Sequence, residues 1–205
     1  MRKKLFIGIG SLTLFAQQRD HRTREYIDPV RIVWQQDSSR ITGANHLLVP
    51  GNGQSDLANN RLCVLKSTPT EHPALLLDFG KELQGGLQLV TGMPPSHDPV
   101  SVRVRFGESV SEAMCEIDGA NGASNDHAMR DFVVSLPWLG VQEIGNSGFR
   151  FVRIDVLGDS TELQLKEVRA ISTFRDIPYL GSFRCNDERL NRIWKTGAYT
   201  VHLNM

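Results

Sequence analysis

The sequence predicts a mainly β chain: an antiparallel β-sandwich, jelly-roll-like, followed by one C-terminal helix. Three observations predict it. Between about residue 28 and residue 178, apolar residues come in short β runs, with no amphipathic stretch longer than about ten residues to suggest alternating helices. The breaks carry turn chemistry, namely Gly51-Asn52-Gly53, Gly85-Gly86, Pro94-Pro95, Asp118-Gly119 and Gly158-Asp159-Ser160, which supply positive or fixed φ. From Leu190 the apolar period lengthens to 3.6: Leu190, Ile193, Trp194, Gly197, Ala198 and Val201 fall on one helical stripe.

Taken in order, the first residues read as a secretory signal peptide over 1–17. Arg2, Lys3 and Lys4 precede an apolar run from Leu5 to Ala16, and polar Gln17 to Asp20 follow. The run falls short of the roughly 20 apolar residues that span a bilayer. The expectation is therefore an exported chain, periplasmic or secreted, with no membrane association after cleavage. Leu14 makes the cleavage signal a poor one, and a retained anchor or a buried N-terminus is the alternative.

The sandwich domain is expected over 25–178, with strands at Arg31–Trp34, Ala74–Phe79, Gly86–Thr91, Val100–Phe106, Asp131–Leu136, Phe149–Val156 and Glu162–Ser172. In Val100–Phe106 valines and phenylalanine alternate with Ser101, Arg103 and Arg105, the pattern of a strand with one wet face. Gly107–Met129 reads as a long polar loop. Residues 179–205 read as a linker and a helix capped by Asn186 or Asp187, with no stop signal before Met205.

With 40% hydrophobic and 22% charged residues the chain has globular composition. Lys plus Arg and Asp plus Glu both total 23, so no basic surplus favours nucleic acid. Cys63, Cys115 and Cys185 allow at most one internal disulfide, and buried free thiols are expected. No His or Cys spacing fits a metal site, and no cofactor motif is present.

Several groups invite chemical readings. Glu108, Glu112 and Glu116 are spaced by four, and paired carboxylates perform glycoside hydrolysis; a solvated acidic stretch is the expectation. Ser160, after the strand Ile154–Val156, sits as a nucleophile would, but Tyr199 occupies the place of the aspartate that should precede His202, so a turn is expected. Ser55 lacks an evident base. Asp126 and His127 are adjacent, which on an extended segment points them to opposite faces. Trp34, Trp138, Trp194, Tyr26, Tyr179 and Tyr199 could stack on sugar rings, although core packing is the expectation for each. Trp138 is the most loop-like of them.

Several stretches taken together resemble the bacterial α-L-rhamnosidases: "LLLDFGKELQGGLQLVTG" at 75–92, "VRVRFGESVSE" at 102–112, "NDHAMRDFVVSLPWLG" at 125–140, "GNSGFRFVRIDV" at 145–156 and "RDIPYLGSFRCNDERLNRIW" at 175–194. The resemblance implies a β-sandwich leading into an (α/α)6 barrel, of which residues 179–205 hold the linker and first helix. It also implies a family that removes terminal α-L-rhamnose from glycans with inversion, using an acid and a base that lie in the barrel. No catalytic residue then falls within this sequence, its ligand-binding residues stay unassigned, and the chain is expected to be an inactive, truncated N-terminal fragment whose partners are the missing barrel and a rhamnose-containing carbohydrate. A free-standing carbohydrate-binding sandwich, with an exposed aromatic platform, is the first alternative. A small hydrolase using Glu108, Glu112 or Asp126 is the second.

Overall fold

The computed structural model describes residues 20–57, 61–117 and 124–205. The signal-peptide segment 1–17 and the Asp118-Gly119 turn lie outside the described residues. Nine strands form among the described residues: β1 (Thr23–Ile27), β2 (Arg31–Gln36), β3 (Ile41–Thr42), β4 (Cys63–Lys66), β5 (Ala74–Thr91), β6 (Val100–Gly107), β7 (Asp131–Leu136), β8 (Val141–Val156) and β9 (Glu162–Phe174). Helix α1 (Val110–Met114) lies between β6 and β7, and α2 (Glu188–Leu203) follows β9.

All nine strands belong to one antiparallel sheet, and two long strands fold it into a sandwich. The first half of β5 pairs with β2 and with Phe151–Asp155 of β8, which in turn pairs with β6, and β6 with β7. The second half of β5 pairs with β9 and with the first half of β8, while β1 and β4 flank β9. Register shifts between Asp78 and Leu83 and between Gly85 and Leu87 mark the bend. There Gly85 adopts φ +147°, and an added Cβ would lie 1.9 Å from the Ile171 carbonyl oxygen, so only glycine lets β5 cross β9 this closely.

Inward-facing residues of both layers merge into one core. Leu75, Leu77 and Phe79 from before the bend pack with Leu87 and Leu89 from after it, and with Val102, Val104, Phe106, Val152, Ile154, Leu165 and Val168. Phe149 sits at the bend, edge-on to Phe79 at 5.9 Å and to Phe106 at 4.8 Å.

The structure corrects four expectations. Ala74–Phe79 and Gly86–Thr91 are one strand, because the bulges bend β5 without breaking its ladder. The loop from Gly107 contains α1, capped by Ser109 Oγ, which accepts from the Glu112 N–H at 3.1 Å. The outer face of β6 is wet only at its start: Ser101 is exposed and Arg103 partly so, but Arg105 is 3% exposed, held by Asp155 and Glu116. Lastly, all three cysteines are free, but only Cys63 is buried, and burial pushes its thiol up to about 12. Strands β1, β3 and β4 and the first half of β8 had no clear signal in the sequence.

Helix α2 contains the whole of the stripe from Leu190 to Val201. Asp187 caps it, accepting from the Arg189 N–H at 2.8 Å, and Asn191 locks its entry by exchanging hydrogen bonds with the Cys185 N–H and carbonyl, each at 2.9 Å. Asn191 is its only buried residue. Leu190, Ile193 and Val201 are 47%, 57% and 63% exposed, and Leu180 of the preceding segment is 94% exposed. The apolar face therefore does not fold back on the sandwich.

Candidate functional site

The β5 bend gathers the charged residues that matter. Asp78, 0% exposed, accepts from Arg150 Nε at 2.8 Å and Nη2 at 3.0 Å, from Arg31 Nε at 2.9 Å and from the Gly80 N–H at 2.7 Å. Burial alone would raise its carboxyl, but these donors outweigh that and hold it at about 2. Four residues on, Glu82 has no such partners. Burial, then the nearby Glu108 and Glu112 carboxylates, push it up to about 7 against the pull of Arg130 and Arg150, and its buried Oε1 has no hydrogen-bond partner among the described residues.

Glu82 and Glu108 do converge: their Oε1 atoms lie 3.6 and 3.5 Å from the point where a Cβ on Gly148 would stand. Two carboxyls brought this close are the groups that acid–base hydrolysis uses. Yet Glu108 is bound to Arg130 at 3.3 Å and Glu112 to the same guanidinium at 2.9 Å, while Glu116 is bound to Arg103 at 2.6 Å. Two cavities of the sandwich, of about 480 and 390 Å³, are lined by other residues. The three glutamates act as anchors for α1 and the loop around it. Glu82 was missed in the sequence because its strand position gave no sign that the chain would bend and bury it.

The raised carboxyl has a measurable consequence. The folded state holds the Glu82 proton up to about pH 7 while the unfolded chain releases it near 4.5, so its contribution favours folding at low pH and is lost as pH rises across that window. Partial exposure of the side chain reduces the effect to about 1 kcal/mol. Thermal melts from pH 5 to pH 8 are expected to fall less steeply in Glu82→Gln than in the parent; identical slopes would remove Glu82 as the cause.

The remaining candidates separate. Asp126 and His127 are both exposed. Ser160 lies in the tight turn between β8 and β9 with φ +54°, and Ser55 lies in the loop after Gly53. The aromatics are not all in the core: Tyr26 and Tyr179 are 41% and 51% exposed, though each of the six has a close neighbour. Arg153 covers Trp34 at 4.8 Å, His97 stacks on Trp138 at 4.6 Å, and Arg169 covers Tyr26 at 4.5 Å. Trp138 Nε1 also donates to the Pro94 carbonyl at 3.1 Å. Tyr179 donates to or accepts from His202 Nδ1 at 2.9 Å, Tyr199 bonds the Glu82 carbonyl, and Trp194 lines an apolar groove of about 290 Å³ with Ile177, Ala198 and Val201.

What the geometry defines is an antiparallel sandwich with a charged, braced bend and an outward apolar helix. No protein-family model matches the chain, and no curated protein matches it. Solved structures do share the fold. A rhamnosidase from Klebsiella oxytoca, with rhamnose bound, superposes with a TM-score of 0.62 at 18% identity, over 90% of this chain and 36% of that one. The GH78 family rhamnosidase of Bacillus sp. GL1 gives 0.56 at 21% identity, over 78% of this chain and 15% of that one. A fucolectin from striped bass (Morone saxatilis) serum is more distant, at 0.44 and 18% identity over 76% of this chain and 47% of that one. The chain thus spans about a third or less of the two rhamnosidases, and the likeness is one of fold.

Proposed function

We propose that this chain is the sandwich and first-helix portion of an exported α-L-rhamnosidase-like glycoside hydrolase, and that by itself it is a non-catalytic support. The observation that carries this is α2. A formed and capped helix presents Leu190, Ile193 and Val201 to solvent, and roughly 25 cal/mol for each Å² of apolar surface is gained when such a face is covered. A helical barrel of the kind the rhamnosidase resemblance implies would cover it. The ordered motifs at 75–194 and the fold likeness to two rhamnosidases support the same reading. The pairing of Glu108, Glu112 and Glu116 with arginines supports the absence of an acid–base couple among these three.

Hydrolysis of a chromogenic α-L-rhamnoside tests the reading. The 205-residue chain is expected to release no chromophore above background, while the same chain joined to a helical barrel encoded beside it releases it readily. Turnover by the short chain, abolished in Glu82→Gln or Glu108→Gln, would overturn the support role and return catalysis to the β5 bend.

A further inference from the structure

A second site lies on the other layer, on the outer face of β9. There β9 carries a bulge: Val90 pairs with Glu167 and Thr91 with Leu165, leaving Lys166 as the extra residue. The loop Pro50–Gln54 lies flat over the bulge. A Cβ on Gly51 would stand 2.0 Å from Glu167 Cδ and one on Gly53 1.6 Å from Arg169 Nη2, so the loop lies directly against both side-chain ends, and Gly53 also holds φ +71°. The Gly53 N–H donates to Glu167 Oε2 at 2.7 Å, and Lys166 Nζ donates to the Gln54 carbonyl at 2.7 Å and to Asp56. These ties make a fixed wall, and between it, the turn Ala44–Leu48 and Arg61 opens a cavity of about 390 Å³.

Its lining mixes donors, acceptors and an apolar side. His46 Nδ1 lies 3.1 Å from the Leu62 carbonyl oxygen, so Nδ1 carries the proton and Nε2 is left as an acceptor. Asn52 uses its Oδ1 to accept from the Gln54 N–H at 3.1 Å, which leaves its amide N–H groups to donate. Arg61 has no hydrogen-bond or ion-pair partner among the described residues. Glu167, 4% exposed, closes the cavity floor from beneath: its Oε2 accepts from the Gly53 N–H and faces Arg169 Nε at 3.6 Å, and its Oε1 lies 3.9 Å from Lys166 Nζ. Val49 and Pro50 provide the apolar side.

We propose that this cavity binds one neutral pyranose ring of a glycan. Each sugar hydroxyl both donates and accepts, which matches Arg61 and Asn52 as donors and His46 Nε2 as acceptor, while a C–H face of the ring lies against Val49 and Pro50. A phosphate would meet the Glu167 carboxylate, and a metal ion would meet Arg61 and Lys166. The site goes beyond the support role proposed above, since it needs neither barrel nor catalysis.

Saturation-transfer NMR on the purified chain tests it, with methyl α-L-rhamnoside, methyl α-L-fucoside, methyl β-D-galactoside and methyl α-D-glucoside as neutral probes and methyl α-D-galacturonide as the charged one. At least one neutral glycoside is expected to bind with Kd on the order of 1 mM. Arg61→Ala, at an exposed position, is expected to weaken it about tenfold or more, and Val49→Trp to fill the cavity and abolish it, both with an unchanged circular dichroism spectrum. No transfer to any probe, transfer indifferent to both substitutions, or binding confined to the galacturonide would each overturn the proposal. Because the readout is binding by the short chain, its failure is distinct from any result of the hydrolysis assay.

Discussion

Replacing Phe149 with alanine is expected to remove about 3–5 kcal/mol of folding stability, the usual cost of emptying a buried aromatic site. Phe149 is 0% exposed and stands where β5 and β8 pass from one layer to the other. Its edge-on contacts with Phe79 and Phe106 bring together three strands, so the cavity left behind has rigid sheet on its sides and little freedom to collapse. Against a total stability of about 5–15 kcal/mol for a domain, the loss is a large fraction, and urea denaturation should show it as a lower midpoint. Val133→Ala on the exposed face of edge strand β7 is the matched control, with a change within about 0.5 kcal/mol. Equal losses at the two positions would mean that the bend is no more tightly packed than the edge.

Most of the sandwich was legible in the sequence because a buried strand face leaves a period-two signature, as Val100 to Phe106 does. What was not legible follows from geometry rather than pattern. The period of β5 is interrupted at Gly80–Gly85, and an interruption of glycines reads as the end of one strand and the start of another; only the tertiary pairing shows it to be a bend. Thr23–Ile27 is mostly exposed and adds to β9 from outside, so it carries no apolar alternation. Arg103 and Arg105 suggested solvent, but arginine beside carboxylates on neighbouring strands forms a covered charged layer that sequence polarity cannot distinguish from a wet one. The helix stripe was read correctly, and its outward direction could not have been, since periodicity gives a face without its partner.

The motifs behind the rhamnosidase resemblance acquire a physical meaning at the bend. In Asp78-Phe79-Gly80, the aspartate pins arginines, the phenylalanine packs on Phe149, and the glycine turns with φ +84°. In Gly148-Phe149-Arg150-Phe151-Val152 the residues alternate between core, ion pair with Asp78, outer apolar cluster and core again. These residues define how two layers are joined, which is why they speak to fold and leave the substrate open.

The charge at that junction makes the last prediction. Asp78→Ala is expected to cost about 3–5 kcal/mol, the range for removing one partner of a buried ion pair. The aspartate ties β5 to β2 through Arg31 and to β8 through Arg150, and it also satisfies the Gly80 N–H in the turn. The two guanidiniums are partly exposed, with side chains 61% and 36% accessible, so water recovers some of their solvation and the lower half of the range is expected. The pH dependence carries the opposite sign to that of Glu82. With its carboxyl lowered from 3.8 to about 2, Asp78 contributes stability that is complete above the unfolded value and lost as pH falls through about 2. Asp78→Asn should therefore be destabilised at pH 6 yet show a shallower acid transition than the parent. In a double-mutant cycle with Arg150→Ala, a coupling of about 1–3 kcal/mol is expected for groups in direct contact; additive losses would place the aspartate's contribution in the turn at Gly80 rather than in the strap between β5 and β8.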